Sequence, residues 1–201
     1  MIITLTGASG AGKTTIAREL LEKIPINSQM VPSHTIRKLR KPRPTDLPSE
    51  YKHVTRFWFW LLKVTGAFLW TVYPHGNSYG TTKRWVAKAL KDNNEVYIMI
   101  LFSDAVKNLR EFALEKSILG QVYSFYIYSP SQEVLRKRLE KRGDSLEEIE
   151  KRLSDCLKWD QDALNSGIPY EFVKNDTTIE EAVVEIKNRF LVKFGGCDSY
   201  F

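Results

Sequence analysis

The chain has 201 residues, of which 43% are hydrophobic, and its formal net charge is +6 at pH 7. It is therefore long enough to bury a core as one domain, and it contains no run of about 18 apolar residues that would form a membrane span. The N-terminal apolar run follows no basic stretch, and the two cysteines, Cys156 and Cys197, fall in a helical pattern and a glycine-containing tail. From these features we expect neither a signal peptide nor a disulfide framework, and we expect a cytoplasmic protein.

The first predicted element is a short buried strand at 2–6, which leads directly into a glycine-rich loop. The loop fits the pattern G-x-x-x-x-G-K-S/T of phosphate-binding loops. Its residues are Gly7, Ala8, Ser9, Gly10, Ala11, Gly12, Lys13 and Thr14. A helix is predicted at 15–23, because Ile16 and Leu20 recur at helical spacing and Pro25 ends the pattern.

A strand, a glycine loop and a helix start in this order favour a bound polyphosphate, because backbone N–H groups and the helix dipole point to one place. Glycine also lets the backbone approach the phosphates closely. In this arrangement Lys13 neutralises the β- and γ-phosphates, and the Thr14 hydroxyl is a ligand of Mg²⁺. We therefore predict that ATP and Mg²⁺ bind here, with Thr15 completing the nucleotide-binding residues.

The segment 33–82 interrupts the alternation of strands and helices that the rest of the chain shows. It opens with a basic, proline-rich stretch at 33–44, whose composition is unsuited to a core element. The positive charge of the chain falls in clusters such as this one, which suit small phosphorylated ligands better than nucleic acid. An exposed basic loop that touches RNA is the alternative interpretation of this stretch.

Strands and helices alternate again after this segment. Strands are predicted at 96–102, 122–128 and 170–173, and helices at 105–116, 131–141, 146–164 and from 178 to about 192. The capping-box patterns Ser145-x-x-Glu148 and Thr178-x-x-Glu181 indicate two of the helix starts. One polar residue, Asp160, lies unexplained in the apolar stripe of helix 146–164. The alternation predicts an α/β fold with a parallel sheet and right-handed crossovers.

Several segments of the chain match the guanylate kinase family in order and spacing. Three of them, at 33–44, 50–54 and 75–82, correspond to that family's serine-led Arg/Pro segment, its Asp-Tyr-x-Phe-Val segment and its Gly-Asn-Tyr-Tyr-Gly-Thr segment. Further matches are the segment 128–131, the arginine-rich run 135–145 and the pair Asn175-Asp176. The chain thus resembles the guanylate kinase family over nearly its whole length.

The resemblance implies a P-loop NTPase-type parallel sheet flanked by helices, with a small acceptor-binding insert and a helical lid. It implies a single guanylate kinase-like domain at 1–201. The core of that domain is expected at 1–32 and 83–201, the insert at about 33–82 and the lid at about 136–155. Closure of such a lid excludes water from the bound nucleotide.

The resemblance also implies which cations act on the transferred group. Arg138, Arg142 and Arg152 match the lid arginines that clasp the transferring phosphate, and Arg138 and Arg142 are four residues apart on one helix face. A reaction between two phosphorylated molecules needs such cations, because it brings several negative oxygens together. Solvated surface charge is the alternative for each arginine taken alone. Asn175 matches the nucleotide end of the family.

On the acceptor side, the family holds a monophosphate with arginines, tyrosines and hydroxyl groups, which suit a dianionic phosphate. The matching residues here are Ser33, Arg37, Arg40, Tyr51, Tyr79 and Thr81. Which two arginines bind the acceptor phosphate stays open. Arg37 and Arg40 fit the spacing from Ser33, whereas Arg40 and Arg43 fit the local sequence.

The chain departs from the family at the positions that read guanine. The family's guanine-reading glutamate falls on Trp70, and two acidic positions in a central strand fall on Met99 and Leu101. An indole cannot accept hydrogen bonds from the N1–H and amino groups of guanine. Asp104, just past that strand, is the candidate for a partial substitute. The segment Phe57 to Trp60 is also more apolar than the family's, which indicates core packing, self-association, a protein partner or an unusual acceptor pocket.

The resemblance implies an ATP-dependent nucleoside monophosphate kinase that transfers the γ-phosphoryl group of ATP to GMP or dGMP, giving GDP and ADP. Two alternatives remain: a kinase of the same fold acting on another phosphorylated small molecule, because the guanine-reading carboxylates are absent, and a non-catalytic interaction module. The intact Lys13, Thr14 and lid arginines favour catalysis. The acceptor oxygen is already an anion, so no histidine is needed as a general base. The expected partner is the nucleotide substrate, with neither nucleic acid nor a membrane.

Overall fold

The computed structural model describes residues 1–37, 50–73, 76–141, 143–176 and 178–194. Within these ranges the strands are β1 (Ile2–Thr6), β2 (Ser28–Met30), β3 (Ser33–Thr35), β4 (Tyr51–His53), β5 (Phe68–Val72), β6 (Tyr79–Thr82), β7 (Val96–Ile100), β8 (Val122–Ile127) and β9 (Glu171–Val173). The helices are α1 (Lys13–Lys23), α2 (Arg56–Val64), α3 (Lys83–Lys91), α4 (Ser103–Glu115), α5 (Gln132–Lys141), α6 (Leu146–Leu164) and α7 (Ile179–Phe194), with a short 3-10 helix at Leu119–Gln121. No helix in the described ranges has the length and apolarity to cross a bilayer.

Five strands form a parallel sheet in the order β2-β7-β1-β8-β9. Every residue of β1 and the first four residues of β7 are buried. Strands that are apolar and buried along their length are typical of parallel sheets covered by helices on both faces. The predicted α/β fold with a parallel sheet flanked by helices is therefore confirmed.

The chain divides into two compact units. One comprises residues 1–4 and 25–122, and the other comprises residues 5–24 and 123–201. The first unit contains a second sheet, ordered β4-β3-β6-β5, in which β3 pairs in parallel with β4 and antiparallel with β6. All four of its strands lie within 33–82. The second unit contains the glycine-rich loop, α1 and the helices α5, α6 and α7.

A hydrophobic cluster joins the loop of the second unit to the helix pair α5 and α6. Its buried members are Ala8, Leu135, Leu139, Ile149, Leu153 and Cys156. Ala8 belongs to the loop, whereas the leucines recur on one face of each helix. Because each fully buried Leu or Ile side chain stabilises by about 1.5–3 kcal/mol, the cluster anchors both helices beside the loop.

Local signals determine where the helices begin. The Ser145 Oγ atom accepts a hydrogen bond from the Glu148 amide at 3.3 Å, and the Glu148 carboxylate accepts one from the Ser145 amide at 3.0 Å. This capping box confirms the predicted start of α6. Helix α1 begins at Lys13, two residues earlier than predicted, because Gly12 adopts φ 94° and is the N-cap.

The polar residue in the apolar stripe of α6 has a structural explanation. The Asp160 carboxylate accepts hydrogen bonds from the Tyr126 hydroxyl at 2.9 Å, from the Ser129 hydroxyl at 3.1 Å and from the Ser129 amide at 3.3 Å. Burial, together with this carboxylate, raises the pKa of Tyr126 above its usual range. Asp160 therefore fastens α6 to the end of β8 and to the turn that precedes α5.

His34 is a buried imidazole in the four-stranded sheet. Its side chain is 5% exposed, and its ring centroid lies 5.8 Å from that of Phe68. Its Nδ1 atom has no hydrogen-bond partner among the described residues. Burial, and secondarily the charge of Lys52, hold the pKa of His34 below its ordinary value. The folded protein therefore keeps this ring neutral at a pH where the unfolded chain protonates it.

We predict that His34→Phe weakens the acid dependence of stability. The free energy of unfolding should fall as pH drops through about 6.5, where the unfolded imidazole binds a proton, towards the lower pKa of the folded state. Each unit of displacement in the pKa is worth about 1.4 kcal/mol. The free energy of unfolding, measured in urea at several pH values across this range, should depend less steeply on pH in His34→Phe than in the native chain. Equal slopes in the His34 variant and the native chain would contradict the prediction.

Candidate active site

The glycine-rich loop ends at a helix N-terminus that is suited to an anion. Gly12, the N-cap of α1, has no side chain, and the first turn that follows carries no acidic residue. The first N–H groups of a helix have no partners within the helix, and the helix dipole places partial positive charge at the same end. The start of α1 therefore offers backbone donors to a phosphate group.

Close packing around the loop requires glycine, as Gly7 and Gly12 show. Gly7 has φ 147°, and a Cβ atom there would lie 2.3 Å from the carbonyl oxygen of Ile127. Gly12 has φ 94°, and a Cβ atom there would lie 2.4 Å from Nδ2 of Asn175. Both distances are shorter than any real Cβ contact, so the path of the loop depends on these two glycines.

Lys13 lies against the loop that precedes it. Its Nζ atom donates hydrogen bonds to the carbonyl oxygens of Gly7 at 2.8 Å and of Ala8 at 2.7 Å. The ammonium charge is therefore held beside the loop and at the start of α1. Positive charge and backbone donors at one place attract a polyphosphate.

Arg152 reaches the loop from α6. Its guanidinium group donates a hydrogen bond to the Ser9 hydroxyl, and its Nε atom lies 3.5 Å from the carboxylate of Asp144. The side chains of Arg152 and Asp144 are 22% and 5% exposed, so the ion pair is largely shielded from water. Asp144 was not predicted from the sequence as a site residue. Its position directly after Gly143, which breaks the helical pattern, is a signal that could have identified it.

Arg138 and Asn175 form a second connection to the loop. The Nη2 atom of Arg138 donates to the Asn175 carbonyl at 3.2 Å, and the Asn175 side-chain amide donates to the Ala11 carbonyl at 2.8 Å. Burial lowers the pKa of Arg138, and Asp176 opposes that shift. Among the described residues, the buried Nη1 atom of Arg138 has no hydrogen-bond partner.

A buried guanidinium edge without an acceptor is costly, and a bound anion offsets that cost. The Oδ1 atom of Asn175 is likewise buried and lacks a partner within the described part of the chain. Both atoms lie next to the phosphate-binding loop through the contacts above. The third predicted lid arginine, Arg142, lies outside the described residues.

The donor set at the loop fits Mg²⁺ better than a metal held by protein ligands alone. In the described ranges, no group of three or more His, Cys, Asp or Glu side chains is placed to hold a metal ion. Mg²⁺ commonly keeps several waters and binds phosphate oxygens together with one or two protein oxygens. The hydroxyl of Thr14, partly buried in the first turn of α1, fits that role, with Thr15 next to it.

Four predicted acceptor residues meet in the four-stranded sheet of the first unit. The Ser33 and Thr81 hydroxyl oxygens are 3.3 Å apart, on β3 and β6. The rings of Tyr51 and Tyr79 have centroids 5.5 Å apart. Burial, and then Glu50, raise the pKa of Tyr51 above its usual range, so its phenol stays protonated and able to donate.

Arg37 lies two residues after the end of β3. Its amide donates to the Thr35 hydroxyl at 3.1 Å, and its carbonyl oxygen lies 3.0 Å from Nδ1 of His53. These contacts fix the backbone of Arg37 just beyond the end of β3. Arg40 and Arg43 lie outside the described residues, so the choice between the two arginine pairs stays a prediction.

The positions that depart from the family are buried and apolar. Trp70 is 6% exposed and stands opposite Thr81 in the β5–β6 ladder. Met99 and Leu101 are 1% and 6% exposed. Asp104 is exposed in the first turn of α4. None of the three buried side chains carries an oxygen that could accept a hydrogen bond from a base.

Comparison with known proteins gives a consistent result. The family model described as guanylate kinase matches residues 1–192. A guanylate kinase of Wolbachia sp. subsp. Brugia malayi is 34% identical over 190 residues, covering 94% of this chain and 90% of that protein. A guanylate kinase of Helicobacter pylori is 35% identical over 159 residues, covering 78% and 72%. The crystal structure of guanylate kinase from Anaplasma phagocytophilum matches the fold with a TM-score of 0.66 at 22% identity, over 96% of this chain and 85% of that one.

Proposed function

Because the chain belongs to the guanylate kinase family, we propose that it is an ATP-dependent nucleoside monophosphate kinase that phosphorylates GMP or dGMP. The observation that carries this proposal is the connection of two guanidinium groups to the phosphate-binding loop. Arg152 contacts Ser9 directly, and Arg138 is connected to the loop through Asn175. Both features serve a transferring phosphoryl group, whereas a non-catalytic interaction module has no need of them.

In the proposed reaction, the loop amides and Lys13 bind the β- and γ-phosphates of ATP. Arg138, Arg152 and Arg142 hold the transferring group while its negative charge is redistributed over its oxygens. Mg²⁺, held in part by Thr14, neutralises phosphate charge when it is bound. The contribution of the chain is therefore alignment and charge neutralisation rather than covalent catalysis.

On the acceptor side, the proposed phosphate ligands are the hydroxyl groups, phenols and arginines of the four-stranded sheet. These are Ser33, Thr81, Tyr51, Tyr79, Arg37 and Arg40, with Arg43 as the alternative partner of Arg40. An oxygen of the acceptor phosphate forms the new P–O bond in line as the bond between the γ-phosphorus and the leaving ADP oxygen breaks. The attacking oxygen is already an anion, so no proton has to be removed and no general base is required.

We assign the chain to one kinase domain, with a core at 1–32 and 83–201, an acceptor-binding insert at about 33–82 and a lid at about 136–155. Closure of the lid over ATP would exclude water and limit hydrolysis. A cytoplasmic location fits the requirement for ATP and for nucleoside monophosphates. The buried free thiol of Cys156 is compatible with that location.

The test is an assay of ADP release with ATP and Mg²⁺ against GMP, dGMP, AMP, CMP and UMP. We expect GMP and dGMP to be the preferred acceptors, and GDP or dGDP to appear in equal amount to ADP. ADP that forms without a diphosphate product would indicate hydrolysis alone. Inactivity with all five nucleotides would move the assignment to another phosphorylated acceptor.

The second candidate function is a kinase that acts on a different phosphorylated acceptor. It is favoured because Trp70, at the position of the family's guanine-reading glutamate, is buried opposite Thr81. Guanine offers an N1–H and an amino group, both donors, and a site that leaves such donors unpaired loses selectivity. We predict that Trp70→Glu raises the ratio of kcat/KM for GMP over AMP by about tenfold or more. The panel assay above, run on both proteins, measures this ratio.

Trp70→Gln is a second variant for the same position, because an amide avoids the cost of burying a carboxylate. Its carbonyl oxygen can accept one of the two guanine hydrogen bonds, so we expect a smaller gain of the same sign. Trp85→Glu, at a partly buried tryptophan on α3, is the control and should leave the ratio unchanged. If the native chain already prefers GMP strongly and neither Trp70 variant alters the ratio, Trp70 does not lie at the base.

A further inference from the structure

Helix α2 carries an exposed aromatic surface. Of its aromatic side chains, Phe59 is 5% exposed and packs on Phe68, with ring centroids 4.8 Å apart. The exposed side chains are Phe57 at 64%, Trp58 at 54%, Trp60 at 56% and Val64 at 57%. The Phe57 ring neighbours both tryptophans, and its centroid lies 6.4 Å from that of Trp58 and 6.1 Å from that of Trp60. We call the four exposed residues the aromatic face.

The aromatic face has basic residues beside it and no acidic residues near it in the sequence. Residues 51–91 contain seven basic and no acidic residues, so they carry +7, whereas the other 160 residues together carry −1. The basic residues are Lys52, Arg56, Lys63, Lys83, Arg84, Lys88 and Lys91. The segment that bears the exposed aromatic rings is thus strongly positive, as is the basic stretch at 33–44 that precedes it in the chain.

Three of these basic residues lie on α2 or next to the segment that follows it. Arg56 and Lys63 are exposed on α2 itself, and helical spacing sets them beside Trp60. Lys63 also donates a hydrogen bond to the hydroxyl of Tyr73 at 2.8 Å, and Tyr73 is itself 53% exposed. The amide of Lys83 donates to the carbonyl of Ala67 at 2.9 Å, which sets the start of α3 beside the segment that follows α2.

We propose that the aromatic face binds an anionic lipid surface and docks the protein on it peripherally. Tryptophan and phenylalanine favour the boundary between headgroups and acyl chains, and flanking lysines and arginines are attracted to anionic headgroups. Phe57 and Trp60 enter that boundary, while Arg56 and Lys63 contact the headgroups. This revises the expectation that no membrane is a partner, which rested on the lack of a spanning segment in the sequence.

The positive charge of residues 51–91 disfavours a second copy of the chain as the partner that binds the aromatic face. Self-association through the aromatic face would bring two strongly positive segments together, and like charges repel. An acidic protein would match the charge. The membrane is favoured because three aromatic rings, each more than half exposed, stand on one helix that also carries cations and no anion.

The test is co-sedimentation of the full chain with vesicles of phosphatidylcholine, with and without about one third phosphatidylserine. We expect binding to the anionic vesicles only, and weaker binding at high salt. F57S/W60S should lower the apparent affinity about tenfold or more by removing the inserted rings. R56Q/K63Q should lower it about tenfold by removing two charges.

Matched variants elsewhere separate these effects from general changes in charge or apolarity. L114S/V184S removes two apolar residues that are 62% and 52% exposed, and K107Q/K158Q removes two exposed lysines. Both controls should bind the vesicles like the native chain. Circular dichroism and thermal unfolding without vesicles report that each variant is folded, independently of lipid binding. Binding that is absent, that is equal for neutral vesicles, or that survives F57S/W60S overturns the proposal and leaves the face to a protein partner.

Discussion

Replacing Lys13 with alanine is expected to lower kcat for phosphoryl transfer by about 10²–10³-fold, with the fold intact. The Lys13 ammonium is held beside the phosphate-binding loop by the carbonyl oxygens of Gly7 and Ala8. A preorganised cation that stabilises developing charge in a site without water contributes about 3–4 kcal/mol to the transition state. Alanine keeps the start of α1 helical, so the loss should fall on catalysis and not on stability.

The measurement is steady-state kinetics with ATP, Mg²⁺ and GMP, together with a thermal unfolding curve. Lys23→Ala is the matched control, because it makes the same change at the other end of α1. There the lysine forms an exposed ion pair with Glu19 at 2.8 Å. That variant should keep nearly full activity. If Lys13→Ala turned over within about threefold of the native chain, the loop would not be the site of phosphoryl transfer.

The parts of the fold that the sequence predicted most closely are those with a local cause. The capping box at Ser145 and the apolar stripe that follows it predicted α6 with the bounds observed. The β-rich run before the loop predicted β1 at 2–6. The predicted start of α1 was wrong by two residues. Gly12 caps the helix in a left-handed conformation, so no polar capping side chain marks this position in the sequence.

The contacts that build the site depend on residues far apart in the chain, which no spacing rule reveals. Asn175 lies 164 residues after Ala11, whose carbonyl its side-chain amide contacts. Asp160 is visible in the sequence as a polar interruption of a helical stripe, but its partners Tyr126 and Ser129 lie more than 30 residues earlier. Composition and motif spacing can identify such residues as unusual, whereas their partners require the tertiary structure.

For the aromatic segment Phe57 to Trp60, the structure decides between interpretations that the sequence leaves open. The sequence allowed core packing, self-association, a partner or an acceptor pocket for Phe57 to Trp60. Core packing holds for Phe59, which is buried against Phe68. It does not hold for Phe57, Trp58 and Trp60, each of which is more than half exposed. Helical periodicity alone could not divide the segment, because its aromatic residues occupy more than one helix face.

Replacing Arg138 with methionine is expected to lower kcat strongly without lowering the melting temperature. Methionine has a similar length and no charge, so it removes the buried Nη1 atom that lacks an acceptor among the described residues. The melting temperature should therefore be unchanged or higher, even though the hydrogen bond to the Asn175 carbonyl is lost. The value of kcat should fall by about 10³-fold, because the variant lacks a guanidinium group that holds the transferring phosphoryl.

Arg189→Met is the control that should show the reverse pattern. Arg189 also donates to a backbone carbonyl at 3.2 Å, that of Phe172, but its guanidinium is paired with the carboxylates of Glu185 and Glu171. Its loss should lower the melting temperature modestly and leave kcat near the native value. The two variants thus separate a cation kept for a ligand from one kept for the fold. A loss of stability in Arg138→Met without a loss of kcat would mean that Arg138 belongs to the second kind, and that the loop binds its phosphates without it.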